Sequence, residues 1–213
     1  MPVFLHAACG NHAKSRTTRE FDSPDWKEVR MDASPDAEPD VLSSLLDMSA
    51  LGDASFDAVF TAHSLERLYA HEVLSALRNI LRVLVPGGYL VVTCADIQAA
   101  CALAAEDKLL EPAYEAPAGP IAPMDILYGF RPALAAGLTQ YACKCGFTSR
   151  ALVGTLSQAG FTAVWTARNT DTFSIAAIAG KGELPEERLK ELAKKHFQRE
   201  SGTVRHQISV KKV

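Results

Sequence analysis

Two neighbouring stretches decide the fold: residues 55–68, SFDAVFTAHSLERL, and residues 77–92, LRNILRVLVPGGYLVV. In the first, a turn of acid and serine leads into an apolar run that ends at His63, the pattern of a buried strand. From about Ala70 apolar residues recur every three or four positions, which predicts an amphipathic helix that the following Pro-Gly-Gly ends. YLVVTCA, at residues 89–95, then predicts another buried strand. A strand, a helix and a strand in this order indicate a parallel sheet.

The same alternation continues on both sides of this unit. Further strands are predicted at residues 2–7, 26–32, 39–46, 161–167 and 173–180, and a helix over residues 148–159. We therefore expect an α/β fold of the Rossmann-like, doubly wound type, with a mostly parallel seven-stranded sheet and helices on both faces. An insertion of about residues 108–147, rich in proline and aromatic residues, follows the fifth strand as an expected lid. The expected domain spans residues 1–180, and a charged helix and tail occupy residues 181–213.

Composition excludes several classes of protein. The chain has 213 residues, a formal net charge of -3 and 22% charged residues, which is typical of a globular protein and argues against nucleic-acid binding. No apolar run approaches the ~20 residues that span a bilayer, so we expect a cytoplasmic protein that does not engage membranes. The five cysteines are expected to be reduced thiols, and Cys143-x-Cys145 lacks the second ligand cluster of a zinc site. The sequence leaves open whether the chain forms a homodimer.

The end of the first predicted strand carries the first signal of a ligand. Gly10 follows that strand, and Asp32 ends the second strand 22 positions later, the spacing at which an acid meets the ribose of a bound nucleoside. Gly10 is equally explained as a turn residue that needs a positive φ. AACGNHAKS, at residues 7–15, holds a single glycine, whereas a pyrophosphate-binding loop needs three. A nucleotide-dependent oxidoreductase is therefore disfavoured.

The series LHAACG, VRMD, LLDMSAL, SFDAVFTAHSLERL, LRNILRVLVPGGYLVV and GFTSRALVGTLSQAGF resembles class I S-adenosylmethionine-dependent methyltransferases. The likeness is to bacterial methyltransferase-domain proteins whose fourth strand ends in a His-x-Leu-Glu-His-like motif, and it runs from Val3 to about Gly180. It implies S-adenosylmethionine as cofactor and a set of cofactor-binding residues: Ala8, Cys9, Gly10, Asp32, Ala33, Asp47, Met48 and His63.

The resemblance also implies a role for each part of this set. The loop of Ala8, Cys9 and Gly10 would lie under the methionine moiety, and Asp32 would accept hydrogen bonds from the ribose hydroxyls. Asp47 would bind the adenine amino group with Met48 packed against the ring. His63 would lie beside the sulfonium.

Three positions depart from the family pattern. His6 replaces the acid of the cofactor loop, Ala8 replaces a glycine, and Arg67 replaces the second histidine of the motif. Two functions therefore stay open. One is methyl transfer to an unidentified, small-molecule acceptor; the other is a catalytically inactive cofactor-binding protein that acts through a partner.

A general base is needed only where the acceptor loses a proton. The candidates are His63, Glu66, His71 and Tyr128. Three of them also have a purely structural explanation: His63 could simply end a strand, Glu66 could pair with Arg67 or Arg82, and Tyr128 could pack within the insertion.

Overall fold

The computed structural model describes residues 1–197 and, as a strand, residues 211–212. Its strands are β1 (Val3–Ala7), β2 (Lys27–Asp32), β3 (Val41–Leu42), β4 (Phe56–Ala62), β5 (Leu84–Ala95), β6 (Tyr114–Ala116), β7 (Gly119–Ile121), β8 (Ala163–Asn169), β9 (Ser174–Gly180) and β10 (Lys211–Lys212). Its α-helices are α1 (Arg19–Asp22), α2 (Ala70–Val83), α3 (Ile97–Ala105), α4 (Pro123–Tyr128), α5 (Arg131–Ala135), α6 (Ser149–Ala159) and α7 (Glu186–Phe197). No helix among the described residues is long and apolar enough to cross a membrane.

Eight strands form one sheet in the order β10-β8-β9-β5-β4-β1-β2-β3. β1, β2, β3, β4 and β5 pair in parallel, while β9 pairs antiparallel with both β5 and β8, and β10 antiparallel with β8. The predicted doubly wound, mostly parallel sheet is confirmed, with β10 as an additional edge strand. The order reverses between β1 and β4, and ligands of such sheets bind at the carboxyl ends of the strands at that point.

Helices cover both faces of the sheet. α2 and α6 pack over one face, where Leu77, Ile80 and Leu156 are fully buried against the strands. α1 and α7 pack over the other, which is rich in aromatic residues: Phe21 stacks on Phe4 with ring centroids 4.3 Å apart. The apolar residues that recur every three or four positions in α2 therefore form its one buried face.

The short connections differ from the expectation in detail. The crossover between β1 and β2 holds only a 3-10 turn and the four-residue α1. The predicted third strand, residues 39–46, pairs only at Val41–Leu42, where it is the edge of the parallel part of the sheet. α3 and the hairpin of β6 and β7 were not predicted. α3 is a uniformly apolar, alanine-rich run whose capping residue Asp96 is its only clear signal.

α7 belongs to the same body as the strands. Leu189 and Leu192 are buried in the aromatic core, and His196 is 5% exposed. The helix predicted over residues 183–200 therefore exists from Glu186 to Phe197; its last three residues and the tail over 201–210 lie outside the described residues.

Candidate active site

The candidate site lies at the carboxyl ends of β1, β2, β4 and β5, where the strand order reverses. Thr61, near the end of β4, donates a hydrogen bond from Oγ1 to the carbonyl of Ala7 at the end of β1, at 2.9 Å. Its Oγ1 also lies 2.5 Å from Ser64 Oγ. These buried hydrogen bonds connect the loop after β1, which holds predicted cofactor-binding residues, to the loop after β4, which holds the candidate bases His63 and Glu66.

The loop after β1 is held in an unusual backbone conformation. Ala8 has φ 54° and Gly10 has φ 52°, both in the left-handed region that glycine prefers. Gly10 N–H donates to Asp32 Oδ2 at 2.8 Å, and Ser34 N–H donates to Asp32 Oδ1 at 2.9 Å. Asp32 therefore fixes the loops after β1 and β2 and, because each carboxylate oxygen has two lone pairs, still has acceptor capacity for a ligand hydroxyl.

The Arg30 side chain also connects the loops after β1 and β2. Its guanidinium donates to the carbonyls of Gly10 at 2.8 Å and His12 at 3.2 Å, and to those of Ala37 at 2.7 Å and Glu38 at 2.9 Å. Sequence analysis did not identify Arg30, although it stands two positions before Asp32 and so on the same face of β2.

The remaining cofactor-binding candidates differ in exposure. Ala33 and Asp47 are exposed. Hydrogen bonds from the side chain of Ser49 and from its N–H, which lies 3.1 Å from Asp47 Oδ1, lower the pKa of the Asp47 carboxyl. Cys9 is buried, and burial raises the pKa of its thiol, so it is a packing residue of the loop. Met48 is 1% exposed and lies in the core, with its carbonyl bound by Arg82 at 2.7 Å.

His63 and Glu66 form a hydrogen-bonded pair. His63 follows β4 with φ 49°, and its N–H donates to the carbonyl of Thr93 at 2.9 Å, which fixes the turn. Its Nδ1 lies 3.0 Å from Glu66 Oε1, and its side chain is 51% exposed while that of Glu66 is 3% exposed. The predicted pairings of Glu66 with Arg67 or Arg82 are wrong, because the 3-10 turn over Leu65–Arg67 buries Glu66, and Arg82 instead binds Asp53.

Within the described part of the chain, only one of the two carboxylate oxygens of Glu66 accepts hydrogen bonds that meet the usual geometry. Oε1 also accepts from Ala95 N–H at 3.1 Å, whereas Oε2 is buried and has no partner among the described residues. Burial raises the pKa of Glu66, but hydrogen bonds and the charge of His63 outweigh burial and hold the pKa below its usual value. The pair therefore contains a buried carboxylate.

A cavity of about 170 Å³ opens beside this pair. It lies between the loop that follows β4, the insertion and the turn between β8 and β9. The side chains lining it include Glu66, Tyr114, Phe130, Tyr141, Cys143 and Phe173. The insertion returns to the β4 loop at Lys144 and Cys145, whose N–H groups donate to the Glu66 carbonyl at 2.7 and 3.1 Å.

An ion pair shapes the wall that the insertion contributes. Asp125, whose side chain is 2% exposed, accepts from Arg131 Nε at 2.8 Å and Nη2 at 3.0 Å. It also accepts from Ala122 N–H at 2.9 Å at the start of α4. Gly129, with φ 106°, follows α4, and a Cβ there would lie 2.5 Å from the Tyr141 carbonyl, so only glycine fits.

Two candidate bases are not brought to this cavity. Tyr128 is 60% exposed at the end of α4, and its side chain does not line the cavity. His71 stacks on Tyr69 in the first turn of α2, with ring centroids 5.9 Å apart. The cavity is instead lined by Tyr114 and Tyr141 of the insertion, for which the sequence predicts no role.

Comparison with known proteins gives a family match over part of the chain. A family model described as a methyltransferase domain matches residues 5–92, which are 88 of the 213 residues and include every strand end named above except that of β5. Residues 5–92 are thus similar to the methyltransferase-domain family. This match agrees with the class and the cofactor that the sequence predicts. No curated protein matches the sequence.

Solved structures share the fold of this chain. A 1,6-didemethyltoxoflavin-N1-methyltransferase of Burkholderia thailandensis, with its acceptor and S-adenosylhomocysteine bound, is 16% identical with a TM-score of 0.54, over 85% of this chain and 72% of that chain. An S-adenosylmethionine-dependent methyltransferase of Methanosarcina mazei is 17% identical with a TM-score of 0.55, over 86% and 93%. A possible exported protein of Bordetella parapertussis is 16% identical with a TM-score of 0.55; the match covers 85% of this chain and 62% of that one.

The residues at this site fit a nucleoside cofactor. The Asp32 carboxylate keeps acceptor capacity at the end of β2, and the space where a Cβ of Gly10 would stand is open, with nothing within 4 Å. His6, in place of the family acid, is buried against Phe60 on the far face of β1, and burial lowers the pKa of its imidazole although Glu28 lies 2.7 Å away. Its replacement of the acid leaves the Asp32 side of the site intact.

Proposed function

We propose that this methyltransferase transfers a methyl group from S-adenosylmethionine to a small molecule held in the cavity between the β4 loop and the insertion. The observation that carries the proposal is the position of His63. Its half-exposed imidazole stands at the carboxyl end of β4, at the edge of that cavity, and a buried carboxylate holds it.

The cofactor would be held by the loop from Ala8 to Gly10, by Asp32 at the ribose and by Asp47 at the adenine. When bound, it supplies an electrophilic methyl group that the lone pair of an acceptor atom displaces in line. The protein contributes mainly by holding the two molecules aligned and apart from water. The insertion over residues 108–147 would cover the acceptor as a lid.

His63 has the tautomer of a general base. Ionised Glu66 can only accept hydrogen bonds, so Nδ1 of a neutral His63 carries the proton of the 3.0 Å contact. Nε2 is then unprotonated and free to accept a proton from the acceptor. The imidazolium that forms is stabilised by Glu66, and this assigns Glu66 the part of a positioning residue.

The size of the cavity supports a small acceptor over a macromolecule. About 170 Å³ accommodates a molecule of one or two rings, and the net charge of -3 offers little attraction to nucleic acid. The Burkholderia methyltransferase with this fold was crystallised with a small molecule, 1,6-didemethyltoxoflavin.

Calorimetric titration of S-adenosylhomocysteine tests the first half of the proposal. We expect micromolar binding to the wild type, no binding of NAD, and roughly ten- to hundredfold weaker binding to Asp32→Asn, which removes a charged acceptor. Asp36→Asn is the matched control, because it removes an exposed carboxylate from the same loop. Failure of S-adenosylhomocysteine to bind folded wild-type protein would refute the proposal.

Turnover separates this function from the alternative, a cofactor-binding protein without catalysis. The alternative is favoured by Ala8, an L-residue in a left-handed position where the family has glycine. Methyl transfer from labelled S-adenosylmethionine to a panel of small acceptors, lost in His63→Ala but with cofactor affinity unchanged, supports the enzyme. Tight cofactor binding with no labelled product from any acceptor supports the alternative.

A further inference from the structure

We infer that the acceptor is a planar ring that carries a neutral primary amino group, and that this group binds the pair of His63 and Glu66. The inference rests on the proposed function and adds the chemical class of the acceptor. Four features of the cavity carry it: a free carboxylate oxygen, a second acceptor beside it, aromatic walls and a cation in the wall.

The free oxygen is Glu66 Oε2. It is buried, and no donor among the described residues meets it in hydrogen-bonding geometry, although Oε1 of the same carboxylate has two donors. The Cys94 thiol is only a weak hydrogen-bond donor to this carboxylate, and the Cys145 thiol donates instead to the Leu65 carbonyl at 3.4 Å. A buried acceptor without a partner is costly, so a ligand that brings an N–H or O–H to Oε2 gains more than it would at a satisfied site.

The second acceptor is Nε2 of the neutral His63 imidazole, the tautomer in which Nδ1 donates to Glu66. The pair thus presents two acceptors from one connected unit. A hydroxyl has one hydrogen and can satisfy one of them, whereas an amino group has two and can satisfy both. Among the described residues the only other carboxylate lining the cavity is that of Asp125, which already accepts hydrogen bonds from Arg131 and Ala122.

The walls indicate a flat apolar body for the rest of the acceptor. Tyr114 and Phe173 stack with ring centroids 6.0 Å apart and an interplanar angle of 12°, and Phe130 and Tyr141 also line the cavity. Aromatic side chains bind rings through large contact area and offset stacking. A ring bearing one polar group matches a cavity with one polar end.

The amine reacts in its neutral form. Arg67 places its guanidinium carbon 4.5 Å from the centroid of the Tyr141 ring, in the wall of the cavity. Its positive charge disfavours a second cation nearby. A protonated amine also lacks the lone pair that attacks the methyl group, so the reactive form is the neutral one.

The reaction balances with these residues alone. The nitrogen lone pair forms the new bond to the methyl carbon as the bond from sulfur to that carbon breaks, and S-adenosylhomocysteine leaves with the electron pair. The nitrogen then carries a positive charge. One N–H proton passes to His63 Nε2, which gives a neutral methylated amine and an imidazolium paired with Glu66.

Aniline, phenol and toluene test the inference, because they share one ring and differ only in –NH₂, –OH and –CH₃. Their binding to wild-type protein saturated with S-adenosylhomocysteine is measured by ligand-observed NMR. We expect aniline to bind roughly tenfold more tightly than phenol or toluene, the factor of one hydrogen bond to a charged group. Glu66→Gln should abolish this preference, whereas the matched control Glu115→Gln, an exposed carboxylate of β6, should retain it.

Equal affinities for aniline and phenol, or no binding of any of the three, would overturn the inference, as would an aniline preference that survives Glu66→Gln. The ranking in wild-type protein decides the matter even if Glu66→Gln does not fold. If S-adenosylhomocysteine itself fails to bind, the proposed function fails, and the same ranking is measured without it. The two failures are therefore distinguishable.

Discussion

Replacing His196 with glutamine should change the pH dependence of stability. His196 lies in α7 with Nδ1 2.6 Å from Thr18 Oγ1 and Nε2 3.2 Å from Tyr89 Oη, and burial lowers the pKa of its imidazole from 6.5 to about 3. The unfolded chain therefore takes up a proton below pH 6.5, whereas the native chain does not until about pH 3. Because the unfolded state binds more protons in this window, the free energy of unfolding falls as the pH is lowered, by about 2 kcal/mol for this group between pH 7.5 and pH 5.

Urea unfolding of wild type and His196→Gln at several pH values between 7.5 and 5 measures this effect. The variant loses the hydrogen bonds and is less stable at pH 7.5, but the gap should narrow by about 2 kcal/mol at pH 5. His6, whose pKa burial also lowers, is present in both proteins and cancels. His12→Gln, at an exposed position, controls for the loss of a histidine as such. A gap that stays constant with pH would show that His196 is not buried as a neutral imidazole.

Three further outcomes are expected. Arg30→Met removes four hydrogen bonds to the loops after β1 and β2, so S-adenosylhomocysteine should bind it at least about tenfold more weakly by calorimetry; unchanged affinity would contradict the positioning role. Ala8→Gly relieves the strain of an L-residue at φ 54°, so urea titrations should give a free energy of unfolding about 0.5–1 kcal/mol higher than in wild type. A lower free energy of unfolding would contradict this expectation. Asp125→Asn weakens the ion pair to Arg131, so limited proteolysis should cut residues 108–147 faster than in wild type, and equal cleavage rates would argue against the pair as the support of the insertion.

The fold was predictable wherever the pattern of apolar residues in a segment matched the way that segment is buried. α2 and α6 appear close to their predicted positions because their apolar residues face a single core. β4 and β5 do so because a continuous apolar run fits a strand that is buried on both faces. β3 is shorter than predicted, since after Leu42 the chain leaves the ladder and only Leu45 turns into the core, while Leu42 and Leu46 are exposed. α3 could not be recognised from an amphipathic period because it has almost none.

The site was predictable only in part. The closeness of Asp32 and Gly10 follows from strand order, and that of His63 and Glu66 from their separation of three residues. The direction of the Glu66 side chain depends on a 3-10 turn. The sequence gives no signal strong enough to predict whether this turn buries Glu66 or Arg67. The cavity joins segments up to about a hundred positions apart, from His63 to Phe173, and periodicity within one element contains no information about such contacts.

The docking of α7 has a consequence for how the chain folds during synthesis. The strands matched by the methyltransferase family model all precede residue 93, but the aromatic face of Phe4, Phe21 and Tyr89 is covered by residues 186–197. A nascent chain that has completed its parallel strands therefore exposes this face until α7 leaves the ribosome. Chaperones that recognise apolar surface would find their substrate in that interval, and a stop codon before residue 186 would make the interval permanent.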